Sequence, residues 1–267
     1  MLTEYEKYKE GGLAVAFSGG VDSTFLLAIA AEELGADKVL ALTMKAPIIP
    51  EDELEYAADF CRKLGVRHKI IDGSDVLKTD AFAENPPDRC YHCKHHIFSK
   101  LLSEAEGLPL ADGTNLDDLG DYRPGMKALS ELGIVSPLKD AGFTKADIRA
   151  GLKERGIEIW DKPACACLAS RVPYGQAVTA EKVLQIYRLE SRLHELGFSQ
   201  VRVRHHGDVA RIEVLPEERK MFFDEKLMDE VNKFAVGLGF KYCSLDLGGY
   251  VMGNLNKDVV EKENRNL

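Results

Sequence analysis

The stretch LAVAFSGGVDSTFLLAIAAEELGA, residues 13–36, limits the fold more than any other part of the chain. Its apolar run at 13–17 is too short for a buried helix and stops at Ser18-Gly19-Gly20. The residues that follow space their apolar side chains as a broadly buried helix does. Strand, glycine turn and helix in that order bring backbone N–H groups and a positive helix end to the carboxyl edge of a sheet, where a phosphate can be received. Gly19 and Gly20 let the main chain approach an anion closely, and Ser18 and Ser23 add hydroxyl donors. Asp22 is out of place in a bare phosphate cradle, but its carboxylate suits a magnesium ion that bridges pyrophosphate oxygens.

The rest of the first half repeats this pattern. KVLALTM (38–44) and RHKIID (67–72) read as strands, and EDELEYAADFCRKLG (51–65) between them as an amphipathic helix, so parallel βαβ units are expected. A further helix starts near Cys90 and Cys93. LPLADGTN (108–115) ends a strand at Asp112-Gly113, either an ordinary turn or a second contact for phosphates. TKADIRAGLKERG is a helix with Thr144 as its N-cap. WDKPACACLASRVPYGQAV, with two prolines and no period, reads as a structured loop between domains. Beyond it come a long helix, a hairpin turning at His206-Gly207-Asp208, one helix over EERKMFFDEKLMDEVNKFAVGLG and a strand at KYCSLDLGG. The expectation is an α/β chain, with a parallel-sheet domain at 1–165 and a smaller α+β domain at 166–267.

Composition narrows the function. With 267 residues, 45% of them hydrophobic, the chain can build a core, and collagen-like or disordered classes are excluded. A net charge of -9 repels phosphate backbones and anionic lipid, so neither nucleic acid nor membrane is expected as a partner. The charged start and the lack of any long apolar window point to the cytoplasm. Six cysteines are too few for a disulfide framework, and four fall in two tight pairs, Cys90/Cys93 and Cys165/Cys167, which suggests chemistry or metal. Cys61 and Cys243 read as small buried hydrophobes. His92, His95 and His96 read as helix-face residues, and His205 and His206 as exposed beside their turn.

SGGVDS resembles the pyrophosphate (PP) loop of the ATP pyrophosphatases, the superfamily of NAD and GMP synthetases and tRNA thiolation enzymes. The resemblance implies a Rossmann-like sheet and attack of a substrate oxygen on the α-phosphorus of ATP, giving an adenylate and pyrophosphate. It places the adenine at the strand end formed by Thr43, Met44 and Lys45. RCYHCK (89–94), GDYRPG (120–125), KPACACLASRVPYG (162–175) and VRVRHHGDVARIE (201–213) together resemble the LarE sulfur transferases, over nearly the whole chain. That family assists the biosynthesis of a nickel-pincer nucleotide. Its reaction adenylates a carboxylate of pyridinium-3,5-biscarboxylic acid mononucleotide and replaces it with a thiocarboxylate.

Some LarE members sacrifice one cysteine, which becomes dehydroalanine. Others hold a [4Fe-4S] cluster on three cysteines. This chain resembles the second group, with Cys90, Cys93 and Cys167 as ligands, Cys165 as the alternative to Cys167, and a zinc site on the two pairs as a further reading. Aligned through Ser170 and Arg171, the sacrificial position falls at Ala166. The resemblance also implies that Arg171, Arg202 and Arg204 meet the substrate's phosphate or carboxylates and that Glu190 binds substrate or metal. Asp121 and Arg123 would orient the substrate or the cluster loop. ATP, magnesium and the cluster are the implied cofactors, and a homo-oligomer the implied assembly. A tRNA thiolation enzyme of the same superfamily and a non-catalytic nucleotide sensor are the competing readings.

Overall fold

Leu13, Ala14 and Val15 are fully buried because they form the middle of a parallel sheet. A computed structural model describes residues 3–120, 124–162 and 167–251. The first unit comprises Met1–Val76 and Asp88–Cys165. Its sheet has the order β3-β2-β1-β4, with β1 Leu13–Ala16, β2 Val39–Lys45, β3 Arg67–Asp72 and β4 Leu110–Ala111, every neighbouring pair being parallel. Val15 stands between Ala41 on one side and Ala111 on the other. The parallel α/β class expected from the sequence is what the chain adopts.

Helix α1, Val21–Leu34, is buried nearly all round, as its almost unbroken apolar sequence requires. Phe25 on α1 packs edge-on to Phe143, with ring centroids 5.4 Å apart. It also occupies the space left by Gly151, where a Cβ would stand 2.4 Å from Phe25 Cε2. Helix α2, Glu51–Leu64, has acids in its first turn, Arg62 and Lys63 in its last, and Gly65 at φ +71° beyond, so charge and turn chemistry agree with the helix direction. Helices α4 Arg89–Ser103, α5 Pro124–Glu131, α6 Pro137–Asp140 and α7 Lys145–Glu154 complete this unit. Thr144 caps α7 as expected, in a reciprocal capping box with Asp147.

The second unit comprises Leu77–Pro87 and Ala166–Leu267. The first of these stretches carries α3, Asp80–Glu84. Its Phe82 is fully buried, and Asn85, left-handed at φ +49°, donates from its amide to the carbonyls of Val172, Pro173 and Gln176. Helix α8, Ala180–Glu195, buries Val183, Ile186, Leu189 and Leu193 on one stripe against β5. Strands β5 Val201–His206 and β6 Val209–Val214 form the expected hairpin, with Gly207 at φ +62° in a two-residue turn, and β7 Tyr242–Leu245 adds to β6 in parallel. The single helix read at EERKMFFDEKLMDEVNKFAVGLG is two elements: a 3₁₀ turn at Arg219–Phe223, then α9, Glu225–Gly237. The break falls at Asp224, whose carboxylate accepts from the N–H of Lys226 and starts a new helix. No helix among the described residues is long and apolar enough to cross a membrane.

Candidate active site

The phosphate loop holds its open shape by hydrogen bonds among its own residues. Gly19 is left-handed at φ +76°, and a Cβ on it would lie 2.8 Å from the Glu53 carbonyl oxygen, so only glycine fits. Gly20 caps α1 without a side-chain bond, which leaves the first N–H groups of the helix available. Ser23 donates its hydroxyl to the Gly20 carbonyl at 3.1 Å and lies 3.1 Å from Ser18 Oγ, while the Gly20 N–H donates to Ser18 Oγ at 3.3 Å. Gly113 backs the loop: a Cβ there would sit 3.0 Å from the Ser23 nitrogen.

Asp22 stands on the first turn of α1 and accepts from Lys145 Nζ through one oxygen. Its other oxygen, Oδ1, is buried and has no hydrogen-bond partner among the described residues. A buried carboxylate oxygen left unsatisfied is costly in isolation, and a divalent cation supplies the missing partner. The donor chemistry therefore fits magnesium. Lys145, from the helix that Thr144 caps, did not stand out in the sequence. Only the fold brings residue 145 against residue 22.

The other nucleotide candidates are placed unequally. Asp112 is buried at the end of β4, and its carboxylate accepts from Ser136 at 2.6 Å and from Thr114, so it shapes the turn that carries Gly113. Thr43 is buried and donates to the Phe17 carbonyl at 2.7 Å, pinning β2 to the strand that feeds the loop. Since its hydroxyl is spent there, His68 Nε2, 2.8 Å away, must donate to it, and burial lowers the His68 pKa in keeping with a neutral ring. Met44 is buried against Gly73 and Lys45 is exposed.

Cys90 and Cys93 lie one turn apart at the start of α4, the first exposed and the second half-buried. Cys167 is exposed just before a 3₁₀ turn, Leu168–Arg171. Cys165, Ala166, Asp121 and Arg123 lie outside the described residues. Among the described residues no three His, Cys, Asp or Glu side chains cluster closely enough to hold a metal ion. Two solvent-accessible thiols one helical turn apart are nonetheless a donor set that suits an iron-sulfur cluster. Burial pushes the Cys61 thiol up to about 12 and the Cys243 thiol up to about 11, leaving both protonated. His92 and His96 pair with Asp88 at 3.3 Å and Asp75 at 3.2 Å respectively.

Among the basic candidates of the second unit, Arg171 and Arg204 belong to one network that meets at Ser170. Arg171, 1% exposed, makes a two-pronged contact with Glu190, both bonds at 2.9 Å, and Glu190 also accepts from the Val203 N–H at 2.8 Å. Glu190 thus lies in the interior, although an acidic residue on a long helix ordinarily faces water. Arg204 binds Glu213 through Nε and Nη2 at 3.0 and 2.8 Å and the Ser170 carbonyl through Nη1 at 3.0 Å. Glu213, fully buried, also holds Arg211, which reaches Asp246 at 2.8 Å. Arg202 is buried over the Tyr250 ring, 5.2 Å from its centre. Sequence reasoning missed Arg211, Glu213 and Asp246. The first two were detectable, because the hairpin register sets Arg202 opposite Glu213 and Arg204 opposite Arg211 on one face. His205 is a correction: it is buried against Phe240, with Gln185 Oε1 3.1 Å from its Nε2. Strand alternation puts it on the face of Val201 and Val203, and only His206 is exposed.

Comparison with known proteins finds relatives of the amino-terminal part and of nearly the whole chain. A family model described as NAD synthase matches residues 2–89, which include the phosphate loop. The pyridinium-3,5-bisthiocarboxylic acid mononucleotide synthase of Lactiplantibacillus plantarum is 39% identical over 256 residues, covering 94% of this chain and 91% of that protein. An uncharacterized protein of Synechocystis is 39% identical and covers 91% of each. The NH(3)-dependent NAD(+) synthetase of Pyrobaculum aerophilum is 42% identical, but over only 29% of this chain and 28% of its own length.

Proposed function

Since the chain belongs to the LarE family of ATP-dependent sulfur transferases, we propose that it converts pyridinium-3,5-biscarboxylic acid mononucleotide to the thiocarboxylate, releasing AMP and pyrophosphate. Asp22 carries this reading, set at an open helix start with one buried oxygen that has no partner among the described residues. A carboxylate oxygen of the substrate attacks the α-phosphorus of ATP and pyrophosphate leaves. A sulfur nucleophile then attacks the acyl carbon and expels AMP, a far better leaving group than oxide. The N–H groups of the first turn of α1 and the Ser18 and Ser23 hydroxyls receive the departing phosphates, with Gly113 backing them and the chain at Thr43 and Met44 bordering the adenine. Magnesium held by Asp22 would offset the charge that gathers on pyrophosphate.

Arg171, held by Glu190, and Arg204, held by Glu213, make up the substrate-binding network on this reading, together with Arg202 over the Tyr250 ring. A phosphate entering there meets guanidinium groups already ordered by carboxylates, so little side-chain entropy remains to be lost. Cys90, Cys93 and Cys167 would hold a [4Fe-4S] cluster, whose iron without a protein ligand would carry an added sulfide for transfer. Otherwise Cys165 or Cys167 gives up its own sulfur. The enzyme works in the cytoplasm as a homo-oligomer on a small nucleotide, without nucleic acid or membrane.

Anaerobic purification, iron and sulfide assays and the chain mass before and after turnover test the sulfur source. About four irons and an unchanged mass support the cluster. No iron, with a loss of ~34 Da, makes the protein a sacrificial donor and maps the cysteine. Asp22→Asn should abolish pyrophosphate release while leaving bound iron unchanged; full release from that variant would defeat its assigned role.

A further inference from the structure

Asp22 and Lys145 stand 123 positions apart in sequence and meet at the start of α1. The main chain of Lys145 is fixed: it follows the Thr144 cap of α7, and its N–H donates to Asp117 Oδ2 at 2.7 Å. Helix α7 is itself seated on α1, where Phe25 fills the space left by Gly151 and meets Phe143. What can swing is the flexible Lys145 stem, whose side chain is 34% exposed. Its ammonium meets one oxygen of Asp22, while Oδ1 stays buried with no partner among the described residues. Arg171 makes the closed version of such a pair, with both Glu190 oxygens taken. The Asp22 pair is half-made. Beside Gly19, the other acid of the loop region, Glu53, has an ammonium of its own from Lys162. Each acid bordering the empty loop is thus matched by a lysine.

We propose that Lys145 controls access to Asp22: its ammonium keeps a bare divalent cation off the carboxylate and gives way only to a cation that arrives with nucleotide phosphates. This rests on the nucleotide-binding part of the reading above and not on sulfur transfer. A bare cation entering at Asp22 must stand beside the ammonium or drive it away from its anionic partner, and in this partly buried place either course costs Coulomb energy. A metal-nucleotide complex removes that cost. Its phosphates, received by the N–H groups of α1, add negative charge next to Asp22, and the displaced ammonium takes them as its new partner. The exchange is one of ion-pair partners, with no covalent bond broken and no proton moved. Metal and nucleotide then favour each other's binding by the same factor, and Lys145 sets that factor.

Manganese(II) titrated into the full-length, nucleotide-free protein, with the free aqueous ion read by electron paramagnetic resonance, tests this without turnover. Lys145→Met keeps the stem and the start of α7 and should bind manganese about tenfold or more tightly than the parent. That tighter site should vanish when Asp22→Asn is added. Lys145→Arg keeps the charge and should stay with the parent, and Lys63→Met, which removes the same charge from the exposed end of α2, should differ from it by no more than about twofold. Magnesium alone should raise the melting temperature of Lys145→Met and not that of the parent. Conversely, magnesium should tighten α,β-methylene-ATP binding in the parent, by a factor that is about tenfold or more smaller in Lys145→Met. Equal bare-metal affinity in parent and Lys145→Met would overturn the proposal, as would an equal gain in Lys63→Met or a tighter site that survives Asp22→Asn. A parent that binds no α,β-methylene-ATP in the presence of magnesium would overturn the nucleotide reading itself, and the proposal with it.

Discussion

Cysteine environments separate the five described thiols before any chemistry is assigned. Cys61 is buried among the apolar residues of α2 and Cys243 is largely covered on β7, and desolvation raises both thiols well above their ordinary value. A thiol raised this far is almost wholly protonated at neutral pH, and the protonated form is a poor nucleophile. Timed alkylation of the folded, iron-free protein at pH 7.5 should therefore modify Cys90, Cys93 and Cys167 well before Cys61 and Cys243; early labelling of Cys61 would contradict its placement. Arg171 calls for a different caution. Removing one partner of a buried ion pair costs about 3–5 kcal/mol, so Arg171→Ala should shift urea unfolding strongly. If its stability stays within about 1 kcal/mol of the parent, the Glu190 pair is not holding the fold.

Individual elements owe their ends to single side chains. The capping box of Thr144 and Asp147 begins α7, the helix that brings Lys145 to Asp22 and Arg149 to Lys162. Thr144→Ala should lose about 1 kcal/mol of stability at neutral pH, read by urea melts. The Thr144 hydroxyl and N–H hold the Asp147 carboxyl below its ordinary range. A group lowered in this way contributes stability above its unfolded pKa and loses it as the pH falls through the folded one. The difference between parent and Thr144→Ala should therefore shrink on acidification through the carboxylate range; a gap that widens there would contradict the capping box.

Across the whole molecule, the chain leaves the first unit at Leu77 and re-enters it at Asp88. Phe82, fully buried in the second unit, is worth about 1.5–3 kcal/mol of burial, and Asn85 adds the three carbonyl contacts. A fragment ending at residue 165 would expose Phe82 and strand Asn85. It should be less soluble than the full chain, and Phe82→Ser should improve the fragment while destabilising the full protein. An equally soluble, cooperatively melting fragment would show that the first unit needs nothing from residues 77–87.

The sequence by itself determined the repeating strand-and-helix order, the phosphate loop, the hairpin and the Thr144 cap. Each of these is written in neighbouring residues, as an apolar period, a glycine pair or a capping side chain a few positions from what it caps. Tertiary structure decided what those patterns meet. It brought Lys145 to Asp22, Lys162 to Glu53, Asn85 to the turn at 172–176 and Glu190 to Arg171. It also turned Asp112 and Thr43 inward to hold the loop's surroundings. Such pairings join positions separated by 19 to 123 residues. A charge in a sequence has a sign but no partner until packing removes water around it.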